Sequence, residues 1–262
     1  MPSFVRGRPP KYASARPSDS WRVPSGHTAK SRRSSSARQL LAVALGPIPV
    51  YAILLASGLR SEQPSSPQDL ILYATAISLP IIVGLLLLLR FLCGENPREL
   101  NMKPGEWTKD LLAAFILSVV TLAANILANG LLAGLLPAPP NTAVINLFRW
   151  LSQSPGMLAL FLGVLLWIGV AQEELTRVFL LSRLWKVWPS TAAKLGVAVF
   201  AAILFGLSHS WQGPSRIVWT GIYGLIMGLY YLRFGRVGPM IISHYLTNAL
   251  QVVVFALRMP PA

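Results

Sequence analysis

The sequence predicts an all-α integral membrane protein: a polytopic bundle of about seven transmembrane helices behind a disordered basic N-terminal tail. Three observations carry this. The 262 residues are 53% hydrophobic, and their mean hydropathy is +0.54. Only 12% are charged, where a soluble domain carries about 25%. Several apolar runs reach or approach the roughly 20 residues that one bilayer crossing needs.

Residues 1–38 form the tail. They are rich in Ser, Pro, Arg and Lys and hold nine of the 23 basic residues. So few large apolar side chains cannot build a core, so disorder is expected. The tail has no apolar core segment or cleavage site, so no cleavable signal peptide is expected. Residues 39–258 form the transmembrane domain. Span one is Leu40–Ser57, bent by Pro47 and Pro49. Span two is Leu70–Leu89, with Pro80 near its middle. Span three is Asp110–Leu136, and carries Asn125 and Asn129 on one face for hydrogen bonds between helices. Thr142–Ser154 reads as a short interfacial helix with Trp150 at headgroup level. Span four starts near Gly156 and runs to Trp188, before Pro189. That is too long for one upright crossing, so it tilts or ends along the interface. Span five is Lys194–Ser210, span six Arg216–Phe234 and span seven Pro239–Leu257.

The net charge of +14 reads as a membrane signal, with no nucleic acid as partner. Lys and Arg concentrate in the tail and in the loops after spans two, four and six. Arg60, Arg149, Arg216 and Arg258 are single charges on the other side. This alternation puts the N-terminus in the cytoplasm and the C-terminus outside. It points weakly to a bacterial inner membrane. The single cysteine, Cys93, excludes an internal disulfide and any Cys-based metal or redox site within the chain.

The polar residues are unevenly spent. Of nine acidic residues, only Glu173 and Glu174 fall inside an apolar run. Of three histidines, His209 and His244 do so. Ionisable groups at membrane depth mark function by default. Arg177 lies four residues after Glu173 and three after Glu174, so it can pair with either. His244 and Asn248 share a face, as do Phe205 and His209. A buried carboxylate or imidazole can act as general base on water, and a second imidazole can support an oxyanion or protonate a leaving amine. The same groups suit zinc. The His-Glu-x-x-His and Gly-x-Ser-x-Gly signatures are absent, which disfavours soluble zincins and serine hydrolases.

These pieces resemble the CAAX-protease and bacteriocin-processing (CPBP, or Abi) family of intramembrane endopeptidases. Phe205-Gly-Leu-Ser-His209 and His244-Tyr-Leu-Thr-Asn248 match its Phe-x-x-x-His and His-x-x-x-Asn motifs, within residues 155–255. The family's Glu-Glu-x-x-x-Arg motif is altered. In one register Glu173 and Glu174 are the pair and one spacer residue is missing. In the other, Gln172 replaces the first glutamate and Arg177 keeps its distance of four from Glu173. The chemistry favours Glu173 as base with Glu174 as support. Helix spacing favours the second register, in which proteolysis is lost unless Glu173 acts alone.

The resemblance implies that Glu173 and Glu174 activate water, that His209 and His244 bind the water, the oxyanion or a metal, and that Asn248 donates a hydrogen bond. Arg177, Gln172 and Phe205 are support. The family's metalloprotease label implies a divalent ion such as zinc on His209 and His244, although Glu-His activation without metal is chemically sufficient. The expected activity is hydrolysis of peptide bonds in membrane-associated, prenylated or leader-peptide substrates reaching the bilayer. The rivals are a non-catalytic scaffold or immunity protein of the same fold, and a proton-coupled transporter, although no internal repeat of spans supports the latter. One conflict stands. With simple up-and-down spans, Glu173 lies toward the cytoplasm and His209 toward the outside. A steep tilt of span four, or a break near Gly206, would bring them together.

Overall fold

The computed structural model describes residues 29–59, 72–96, 100, 107–132, 135–136 and 142–258. Among these the chain is helical, with no strand. Most of the stretch read as tail, and most of the Gly58–Asp69 loop, lie outside the described residues. Helix α1 (Ala29–Leu45) begins inside the stretch read as tail, and α2 (Pro47–Leu59) follows it across Gly46. Ser36–Ala56 is therefore one candidate span. Next come α3 (Thr75–Leu92), α4 (Trp107–Leu132), α5 (Thr142–Gln153) and α6 (Pro155–Val187). The last three are α7 (Thr191–Leu207), α8 (Pro214–Phe234) and α9 (Gly238–Arg258). Six helices are long and apolar enough to cross a bilayer; α7, at 17 residues, is a shorter apolar helix. The chain is a multi-pass integral membrane protein.

Local chemistry explains the helix ends. Ser154 and Ser190 cap α6 and α7, accepting from the Met157 and Ala193 amides. Gly213 and Gly235 flank α8 at φ of +98° and +65°, a region open to glycine. A wide π-type turn at Tyr73–Ser78 precedes Pro80, whose missing N–H interrupts the hydrogen-bond ladder. A second, at Phe161–Leu165, exposes the Leu162 carbonyl to the Tyr245 hydroxyl at 3.0 Å.

Helix α6 is the central element. It packs against α1, α2, α3, α7, α8 and α9. Leu175 to Leu181 are buried without interruption, as in a helix surrounded on all sides. At 33 residues it is about 50 Å long, against a hydrocarbon core of about 30 Å. Glu173 therefore sits near its middle. Outward faces carry large apolar side chains, among them Leu111, Phe115, Val119 and Ile126 on α4, as lipid contact requires.

Helices α7 and α8 approach closely along small residues. A Cβ on Gly206 would lie 2.6 Å from the Ile217 carbonyl oxygen and 3.2 Å from the Gly221 Cα. One on Gly224 would meet Phe205 at 3.2 Å. Gly206 is thus a packing residue, and α7 is unbroken there. His209 is reached because α7 ends at Leu207, beside the middle of the over-long α6.

Two expectations about polar residues change. Asn129 donates to Asn125 along α4, so this pair is bonded within its helix. Glu95, Arg183 and Lys186 read as loop charges. In the fold Arg183 grips both Glu95 oxygens at 2.6 and 2.8 Å and also reaches Gln39 at 3.1 Å. Lys186 adds 2.5 Å to Glu95. This cluster, buried but for Lys186, pins the end of α3 to α6. Asp110 and Arg236, paired at 2.7 Å, tie α4 to the loop before α9.

Candidate active site

Glu173 and Glu174 are adjacent on α6, about 100° apart around the helix, so they face different neighbours. Glu174 is fully buried. Its two oxygens take Arg177 Nη1 at 2.6 and 2.5 Å, and Oε1 also takes His244 Nδ1 at 2.8 Å. Arg177 is fully buried too, and its guanidinium lies 4.0 Å from the centroid of the Phe205 ring. This stacking gives Phe205 a physical role: it covers the charge that holds Glu174. The arginine pairs at a spacing of three with Glu174, not at a spacing of four with Glu173.

Glu173 is left with a different environment. Its side chain is 28% exposed. One oxygen lies 3.9 Å from His209 Nε2 and the other 3.6 Å from His244 Nε2. Hydrogen bonding on the far side of each ring settles which nitrogen carries the proton. His209 Nδ1 lies 2.9 Å from the Phe205 carbonyl, which can only accept, so Nδ1 carries the hydrogen. His244 Nδ1 faces the Glu174 carboxylate, which is paired with Arg177, and donates to it. Both Nε2 atoms are thereby turned toward Glu173. Anchoring of this kind, through the remote ring nitrogen, fixes orientation and tautomer.

The group opens on a cavity of about 260 Å³. Glu173, His209, His244 and Asn248 all line it. So do Arg216, Trp219 and Tyr223 of α8, which sequence reasoning passed over. Tyr223 packs against His244 with ring centroids 4.9 Å apart, and Trp219 packs against Tyr223 at 6.0 Å. No motif marks these residues. The one signal in the sequence was Arg216, which had been counted as an orientation charge. Tyr245, beside His244, stacks on Trp167 of α6 at 4.0 Å and sets the register between α6 and α9.

Two further expectations concern Gln172 and a metal. Gln172 is buried and donates to the Thr176 hydroxyl at 3.3 Å, away from the histidines. Among the described residues, no three His, Cys, Asp or Glu side chains form a group that could hold a metal ion. The two imidazoles proposed as zinc ligands have Glu173 as neighbour, but the three do not stand in metal-binding geometry.

Residues 152–250 match the model of a protein family described as type II CAAX prenyl endopeptidase Rce1-like. Over these residues the chain is similar to the CAAX-protease family. The matched segment runs from the end of α5 into α9 and contains all three motifs. No curated protein matches the chain, and no solved structure does. The similarity suggests protease activity of the CAAX type, in the membrane. In this segment, the altered first motif leaves one carboxylate bonded to Arg177 and one facing the histidines.

Proposed function

We propose that this chain is an intramembrane endopeptidase in which Glu173 is the general base on water. The observation that carries the reading is the division of labour between the two carboxylates. Glu174 is fully committed to Arg177 and His244. Glu173 faces two Nε2 atoms at 3.6 and 3.9 Å on the wall of the cavity. Spacings of that size are too long for direct hydrogen bonds and leave room for a bridging water.

The proton inventory closes without a further group. Glu173 takes a proton from a water lying among its own oxygens and the two Nε2 atoms. The hydroxide attacks the scissile carbonyl carbon. The Nε2 lone pairs of His209 and His244 accept from that water and orient it, and the Asn248 amide donates to the oxyanion. Glu173 returns the proton to the leaving amine. Arg177 and Phe205 hold Glu174, and Glu174 holds His244. The substrate is a peptide segment that reaches the bilayer, of the prenylated or leader-peptide class. We place the N-terminus in the cytoplasm of a bacterial-type inner membrane, on the pattern of basic loops.

The test is cleavage of a panel of such peptides by the purified full-length chain in nanodiscs. Glu173→Gln is expected to lower kcat by roughly 10²–10⁴-fold with little change in KM, the range for a lost general base. His209→Ala is expected to lower kcat as well. Cleavage by Glu173→Gln at the wild-type rate would overturn the assignment.

A further inference from the structure

The cavity has a charge at each of two places, and only one has been used. Arg216 lines the same cavity as Glu173. It is the third residue of the 21-residue helix α8, whose first turn contains no acid. A cation there opposes the helix macrodipole, which favours negative charge at an N-terminus. Its guanidinium is half-buried, and no described acid is available to it. Glu95 is held by Arg183 and Lys186, Asp110 by Arg236, and Glu174 by Arg177. Glu173 faces the histidines. A partly desolvated guanidinium, placed against its helix dipole and without a counter-ion among the described residues, is unfavourable for folding. Its position is explained if a ligand supplies the anion.

We propose that Arg216 is a specificity-determining residue that binds a carboxylate of the substrate. This rests on the protease reading of the cavity. Arginine presents a planar fork that matches a carboxylate with two parallel hydrogen bonds. The cavity is a small one, so a carboxylate held at Arg216 sets which nearby peptide bond stands before Glu173. The carboxylate comes either from the chain terminus or from an Asp or Glu side chain. A lipid phosphate is the competing anion, since an arginine at a span end can extend to the headgroups. Arg216 lines the cavity wall with Trp219 and Thr220, which favours the peptide.

The experiment compares three matched peptides on the full-length chain in nanodiscs. One ends in a free acid, one in an amide, and one in an amide with a Glu in the last residues. Binding is measured on Glu173→Gln, and cleavage on the chain with Glu173 intact, each with and without Arg216→Gln. A carboxylate-bearing peptide is expected to exceed the plain amide by about 10- to 100-fold in affinity and kcat/KM, the range for hydrogen bonds to charged groups. The difference should sit in KM. Arg216→Gln should erase the preference, and Arg216→Lys should restore part of it. The peptide that carries the preference identifies the source. Equal binding of all three peptides, a preference surviving Arg216→Gln, or dependence of the Arg216 effect on anionic lipid would each overturn the proposal. The binding arm keeps its failure distinct from that of the catalytic reading. Acid-selective binding without any cleavage would sink only the protease assignment.

Discussion

Arg177 offers the sharpest test of how the site is held. Arg177→Met removes a guanidinium that contacts both Glu174 oxygens at 2.5 and 2.6 Å, with both side chains fully buried. Among the described residues, the carboxylate left behind would keep only His244 as a hydrogen-bond partner. Breaking a buried pair by removing one member costs about 3–5 kcal/mol, because the remaining charge is unpaired. The guanidinium is itself incompletely satisfied, since Nε and Nη2 have no hydrogen-bond partner among the described residues. The intact pair is therefore worth much less than that figure, and its role is to fix geometry. A second variant separates the two quantities. Glu174→Gln with Arg177→Met removes both charges and keeps an oxygen acceptor for His244 Nδ1. This double variant should recover at least about 2 kcal/mol of the loss, since apolar replacement of a buried pair is often neutral. Equilibrium unfolding in mixed micelles measures both. A loss of less than about 0.5 kcal/mol for Arg177→Met would refute the reasoning, because surface substitutions alone stay within that range. So would a double variant no more stable than the single one.

Three other outcomes follow from the same geometry. Gly206→Ala would place a methyl 2.6 Å from the Ile217 carbonyl, so a loss of about 1–3 kcal/mol is expected in the same unfolding assay. Gly84→Ala, where nothing lies within 4 Å, is the matched control and should not destabilise. Phe205→Leu removes the ring stacked on Arg177 and should lower stability by about 1–2 kcal/mol and kcat with it, measured on one preparation. Burial of Glu95 pushes its carboxyl up, but its bonds to Arg183 and Lys186 outweigh that and hold it below the usual 4.5. A lowered folded-state value means stability fully present above the unfolded value and lost as pH falls through the folded one. Stability should therefore decline below about pH 4.5, and Glu95→Gln should flatten that part of the profile in a thermal melt series.

Much of this protein was legible as sequence. The spans were, because crossing a bilayer demands long apolar runs, and those show in composition alone. The candidate site residues were singled out because charge and imidazole are scarce in such runs. Helical spacing could pair Arg177 with Glu173 or Glu174 and could not choose. The choice was made by His244 and Phe205, which come from two other helices and settle around Glu174. The charges of Glu95 and Arg183 looked like solvated loops, since nothing local says that a residue near one helix end will be buried against another. The apparent conflict between Glu173 and His209 arose from treating each span as one upright crossing. Packing α7 beside the middle of an over-long α6 removes it. The sequence by itself determined the class of protein and the chemical groups held at depth. Only the tertiary structure decided which carboxylate is committed to Arg177 and which is free to face the histidines. That choice depends on contacts between residues as far apart in the chain as Glu174 and His244, which helical periodicity does not encode.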